Sequence, residues 1–334
     1  MVAPWAAECS WGGFPAEDLP LVVLFLGPVY GGAAMLIREV VRRTGGGWPA
    51  TALLAAAFGV VQAGLVDQSL FDRHFLDDTQ FAEEGRSAAT TLVPGIGVSA
   101  GQAVDFIGNH VLLSICAPIA LVEALTAPAR RDRPWLGRPG LVGIAVLYVL
   151  GSLLVFSDDG GRKGFLLSPS QAGLAVAAVA GVVAVALLPR WRRARPCRPG
   201  RVPHPLLLGA GVLAAHLAGW LLSGWLGVGV RLASAVLVVA AVVTWSRRPG
   251  WRRTHVVAGW SAGLLAVAAG AWAVPTYAPA SLASAVIGDA AVGLVAITLV
   301  TAAYRRADAE DHPRPPPPGR RLPIGAITVE PQTR

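Results

Sequence analysis

Long apolar runs alternate with short polar segments along the whole chain. Nine runs, at approximately 19 to 39, 48 to 70, 100 to 125, 140 to 157, 170 to 189, 205 to 225, 229 to 246, 254 to 274 and 281 to 304, are bounded by Arg, Pro or Gly clusters. Most are near the roughly 20 residues that a helix rising 1.5 Å per residue needs to cross a hydrocarbon core of about 30 Å. No run shows the every-second-residue alternation of a barrel strand, and a helix satisfies its own backbone in lipid. The pattern predicts an all-α polytopic membrane bundle of about nine transmembrane helices. Gly27-Pro28 with Gly31-Gly32 predicts a kink in run one. Pro118 predicts another in run three, because it cannot donate to the carbonyl of Ser114.

Charge then orients the bundle. Of 28 basic residues, 23 fall in every second loop: Arg38 to Arg43, Arg130 to Arg138, Arg190 to Arg201, Arg247 to Arg253, and the tail from Arg305. Cytoplasmic loops retain positive charge, so the amino terminus is expected outside and the carboxyl terminus in the cytoplasm. The alternate loops are acidic, with Asp72, Asp77, Asp78, Glu83 and Glu84 after run two and Asp158 and Asp159 after run four. The net charge of +8 therefore records insertion direction, not a nucleic-acid footprint. With only 14% charged residues, against roughly a quarter in soluble domains, a soluble enzyme is excluded.

The chain divides into four regions. Residues 1–18 read as an extracytoplasmic segment, and 19–140 as three polar helices with an acidic outer loop at 72–99. Residues 141–304 read as six hydrophobic scaffold helices, and 305–334 as a disordered Pro/Arg-rich cytoplasmic tail. No basic residue precedes the first run, so it lacks a secretory signal's positive region. Cys9, Cys116 and Cys197 fall outside, within and inside the membrane and cannot pair with one another. The Arg, Ala, Gly and Val richness points to a high-GC bacterium, hence to a bacterial inner membrane.

Polar side chains within a span are functional candidates because lipid does not solvate them. Run three carries Gln102, Asp105, Asn109, His110, Ser114, Cys116 and Glu123. At about 100° per residue, Gln102, Asp105, Asn109, Cys116 and Glu123 share a stripe roughly 60° wide, flanked by His110 and Ser114. The stripe predicts either an outward-opening polar cavity or interhelical hydrogen bonding. Run two adds Gln62 and Asp67, about 7.5 Å apart along the axis and some 140° round. His216 in run six and Asp289 in run nine are further ligand, ion or proton candidates. Arg231 is placed to pair with an acidic outer loop, and Arg38 with Glu39 reads as an anchoring pair at the cytoplasmic surface. No phosphate loop, His-Glu-x-x-His helix or Cys-x-x-Cys occurs, so neither a metal site nor a cofactor is expected.

The stretch from Ala57 to Phe71, followed by Gly108-Asn109-His110 and Ser114 to Ile119, resembles an uncharacterised family of bacterial and archaeal polytopic membrane proteins over about the first 140 residues. More distantly it is similar to the CAAX-protease and bacteriocin-processing intramembrane family. Phe106 and His110 fit that family's Phe-x-x-x-His motif, whereas Gln62-Ala63 stand where its Glu-Glu pair would be. The resemblance implies an intramembrane hydrolase ancestry. A glutamine amide cannot accept the proton that water activation requires, which argues against retained catalysis.

Three readings remain. The first is a non-catalytic permease-like or ligand-binding protein, with a polar cavity on runs two and three for a small solute, ion or peptide. The second is a hydrolase using His110 with Asp105 or Glu123, and the third an accessory subunit of a membrane complex.

Overall fold

The computed structural model describes residues 1–162, 164–191 and 198–312. Cys197 and the proline-rich part of the tail lie outside them. Among the described residues the chain is all helical, with one isolated bridge between Leu92 and Ser99. An apolar helix stands at each expected position: α1 (Leu19–Phe25 continued by Gly27–Thr44), α2 (Trp48–Val66), α3 (Ala100–Leu125), α4 (Arg138–Asp158), α5 (Pro169–Ala186), α6 (Pro205–Trp220), α7 (Gly224–Trp245), α8 (Arg253–Ala273) and α9 (Leu282–Asp311). Seven are long and apolar enough to cross a membrane, and eight with α1, which bends by 50° at Gly27-Pro28. The remaining one, α6, has 16 residues. The protein is thus a multi-pass membrane protein in contact with the bilayer.

Packing does not separate a polar first half from a plain second half. Helix α8 is as interior as α2 and α3, packing against α6, α9 and the lower part of α3. Helices α4, α5 and α7 turn most of their apolar surface outward, as lipid-facing helices must. Helix α2 packs on α5 and α3, and α1 on α4.

The amino-terminal segment is helical and packed into the bundle. Residues 2–9 form about two helical turns buried between α1 and α3, with Ala6 and Cys9 fully covered. Seven apolar residues and Glu8 are too few to span a membrane but enough to fill a gap inside a bundle. The chain leaves this slot through Gly12, whose φ of +87° places it in the left-handed region. A Cβ there would also lie 2.8 to 2.9 Å from Ala271, so only glycine fits. The Tyr277 amide donates to the Gly13 carbonyl at 2.8 Å, and the Ala16 amide donates to Ser284, fixing the segment to the α8–α9 loop and to α9.

Four turns widen to i→i+5 hydrogen bonding: Trp5–Cys9, Gly27–Gly31, Gln62–Val66 and His110–Cys116. Two have a visible cause. Pro28 and Pro118 lack an amide hydrogen, so the carbonyls that would accept from them are released and neighbouring bonds rearrange. In α3 the helix runs on from Ala100 to Leu125, with a wide turn just before Pro118. Such turns are rare and concentrate at functional sites.

Candidate functional site

The four wide turns matter because each inserts an extra residue and rotates the downstream part of its helix by roughly 100°. On α3 this splits the predicted stripe. Asp105 and Asn109 remain on the outer, partly or fully exposed side, while His110 and Ser114 face the interior. Glu123, below the wide turn, points elsewhere entirely.

His110 is the centre of the interior group. Its Nδ1 lies 3.0 Å from Ser114 Oγ, one turn along the helix. Its ring stacks on Tyr30 with centroids 5.9 Å apart and meets Phe58 edge-on at 5.4 Å. Helix α2 comes this close because residue 59 is glycine. A Cβ there would lie 3.1 Å from Ile107 Cα and 3.2 Å from His110 Cβ. Tyr30 is buried and donates its phenolic hydrogen to Glu8, which the N-terminal segment carries into the bundle. Asp67 lies within electrostatic reach of Tyr30, while its Oδ1 accepts from the Ser69 amide at 3.0 Å. Counting from the start of α3, His110 is about 15 Å deep, the middle of a core about 30 Å thick. Among the described residues, Nε2 of this imidazole has no hydrogen-bond partner.

The remaining candidates are dispersed. Gln62 is buried with its Oε1 unpartnered, on the wide turn that packs against α4 and α5. Gln102 lines a recess of about 10 Å³ with Asp72 and Arg73, room for one water. A larger groove of about 270 Å³ between α2, α3 and α5 is wholly apolar, lined by Val60, Ile107 and Leu174 among others. Neither recess is lined by His110. Asp105 pairs with Arg231 on α7, not with His110. His216 packs edge-on against Trp220 and lies near that pair. Asp289 is buried on α9 beside Gly288, where the N-terminal segment crosses at Phe14 and Ala16.

Glu123 belongs to a second cluster at the arginine-rich end. Arg42 grips it with two bonds, Nε to Oε1 at 3.0 Å and Nη2 to Oε2 at 2.5 Å, and Arg38 Nε lies 3.0 Å from Oε1. Arg38 and Glu39 are buried there and not at a surface: Arg38 stacks on Trp135 at 3.4 Å, and Glu39 accepts from the Trp135 amide at 2.6 Å. Arg131 ties in α9 through Glu310 at 2.7 and 3.0 Å. Between the two clusters α3 presents Ile115, Cys116, Ala117, Ile119 and Leu121, all buried and apolar.

Glu8 and Tyr30 are the residues of this cluster that sequence reasoning missed. Glu8 had a signal, an acid within an otherwise apolar stretch from Val2 to Cys9, and Tyr30 sat between Gly27-Pro28 and Gly31-Gly32. The chain matches no family model, no curated protein and no solved structure.

Proposed function

We propose that this protein is a ligand-binding membrane protein of nine spans, with its amino terminus outside and its carboxyl terminus in the cytoplasm of a bacterial inner membrane. It takes a small polar solute or ion from the outer side at the His110 centre. The observation that carries the reading is the imidazole itself: mid-membrane, its ring fixed by Ser114, Tyr30 and Phe58, and its Nε2 unpartnered among the described residues. Intramembrane binding sites recur at this depth, where helices depart from regular geometry.

The apolar stretch that α3 presents from Ile115 to Leu121 and the ionic cluster around Glu123 support binding over permeation. A hydrolase is less well supported. His110, Asp105 and Glu123 would have to converge on one water, and each has separate partners.

Thermal unfolding of the purified protein with millimolar ammonium, guanidinium, choline or single amino acids tests the reading. At least one solute is expected to stabilise the native chain, by about 2.7 kcal/mol when present at 100 times its Kd. His110→Phe is expected to keep the fold and lose that shift. A solute that stabilises His110→Phe equally, or no shift in the native chain, refutes the assignment.

A further inference from the structure

The charged pair between α3 and α7 is not used by the His110 centre. Asp105 lies five residues below the start of α3 and Arg231 seven below the start of α7, depths of about 8 and 10 Å. Their side chains are 48% and 22% exposed, and Asn109, one turn deeper on α3, is exposed as well. Hydrocarbon cannot solvate such groups, so a polar molecule must lie against them.

The neighbouring helix shows how it reaches that depth. With 16 residues, α6 is about 24 Å long, some 6 Å less than the hydrocarbon core, a mismatch of the kind that local bilayer thinning relieves. Trp220 at its end and Trp225 at the start of α7 are exposed, as indoles are at the headgroup level. Arg231 climbs toward that level. Its Cγ passes 2.8 Å from where a Cβ on Gly219 would stand, and Nη2 lies 3.5 Å from the Leu222 carbonyl. Nη1 bonds Asp105, and the buried Nε has no acceptor among the described residues.

We propose that the notch between α3, α6 and α7 holds the headgroup of a phospholipid bearing both a phosphate and a primary ammonium, phosphate on Arg231 and ammonium on Asp105. The opposite charges already present match the two ends of that headgroup, and planar guanidinium suits phosphate. A primary ammonium donates hydrogen bonds to the Asp105 carboxylate; a choline, which has no N–H, does not. An anionic glycerol headgroup offers Asp105 no cation. This site is independent of the His110 centre and survives if that assignment fails.

Native mass spectrometry of the delipidated full-length protein tests the notch, using phosphatidylethanolamine, phosphatidylcholine and phosphatidylglycerol with identical acyl chains. The ethanolamine lipid is expected to be retained about tenfold more tightly than either other lipid. Asp105→Asn combined with Arg231→Gln, a neutral pair of similar size, is expected to abolish the preference. The wild-type comparison decides the matter even if that variant does not fold. Equal retention of the three lipids overturns the proposal, as does a preference that persists in the neutral variant. Displacement of the lipid by equimolar phosphoethanolamine would assign the notch to a soluble solute and overturn the lipid form.

Discussion

Glu123→Ala is expected to cost about 3–5 kcal/mol of stability, the largest loss of any single substitution considered, because it leaves two arginines in place without their shared carboxylate. Arg38 and Glu123 are almost fully covered, and Arg42 reaches Glu123 with a two-point grip. The loss extends beyond one bond. Arg131 Nε donates to the Glu123 backbone carbonyl at 2.8 Å and anchors α9 through Glu310, so disorder at this point frees three helix ends together. The thermal midpoint in mild detergent measures the effect. Charge burial, and not lost packing, is the cause if Arg38→Met and Arg42→Met added to Glu123→Ala recover much of the midpoint. A single variant that unfolds at the native temperature would show that the cluster does not hold the helices together.

Gly59→Val is expected to be the second most damaging change, at about 1–3 kcal/mol, with a loss of site function that exceeds its cost in stability. The added methyls meet the backbone of Ile107 and the Cβ of His110, at positions a glycine leaves just open. Helices α2 and α3 must separate, and the imidazole moves with α3 away from Phe58 and Tyr30. Gly108→Ala is the matched control. Nothing lies within 4 Å of its Cβ position, so both stability and the solute-dependent shift should persist. Equal effects at the two glycines would mean that the close approach at Gly59 does not shape the site.

Most of the architecture was legible in the sequence because it obeys one-dimensional rules. Apolar length placed the nine helices with ends off by up to seven residues, and Gly27-Pro28 marked the bend in α1. The site was legible only in part. A projection at 100° per residue put Asp105, Asn109 and Glu123 on one stripe, and the wide turn at His110–Cys116 breaks that projection. His110 and Ser114, the flank of the stripe, proved to be its interior members. Glu123 finds Arg42 across 81 residues of chain and Asp105 finds Arg231 across 126, pairings that no local pattern contains. The burial of residues 2–9 was hidden for a different reason. A half-length helix carries too little apolar surface to be recognised until its neighbours are known.

The binding role rests on water reaching His110, at mid-membrane depth, from the outer side. In a chain with Cys9, Cys116 and Cys197 replaced, single cysteines at His110, Ser87 and Ser246 can be treated on intact cells with a charged thiol reagent that does not cross membranes. Ser87, exposed in the acidic loop, and Ser246, at the arginine-rich end of α7, bracket the membrane. Ser87→Cys and His110→Cys are expected to react, while Ser246→Cys is protected until the cells are permeabilised. A His110→Cys chain that folds, reacts after denaturation, and stays unmodified by the charged reagent from the outer side would contradict an outward-open site.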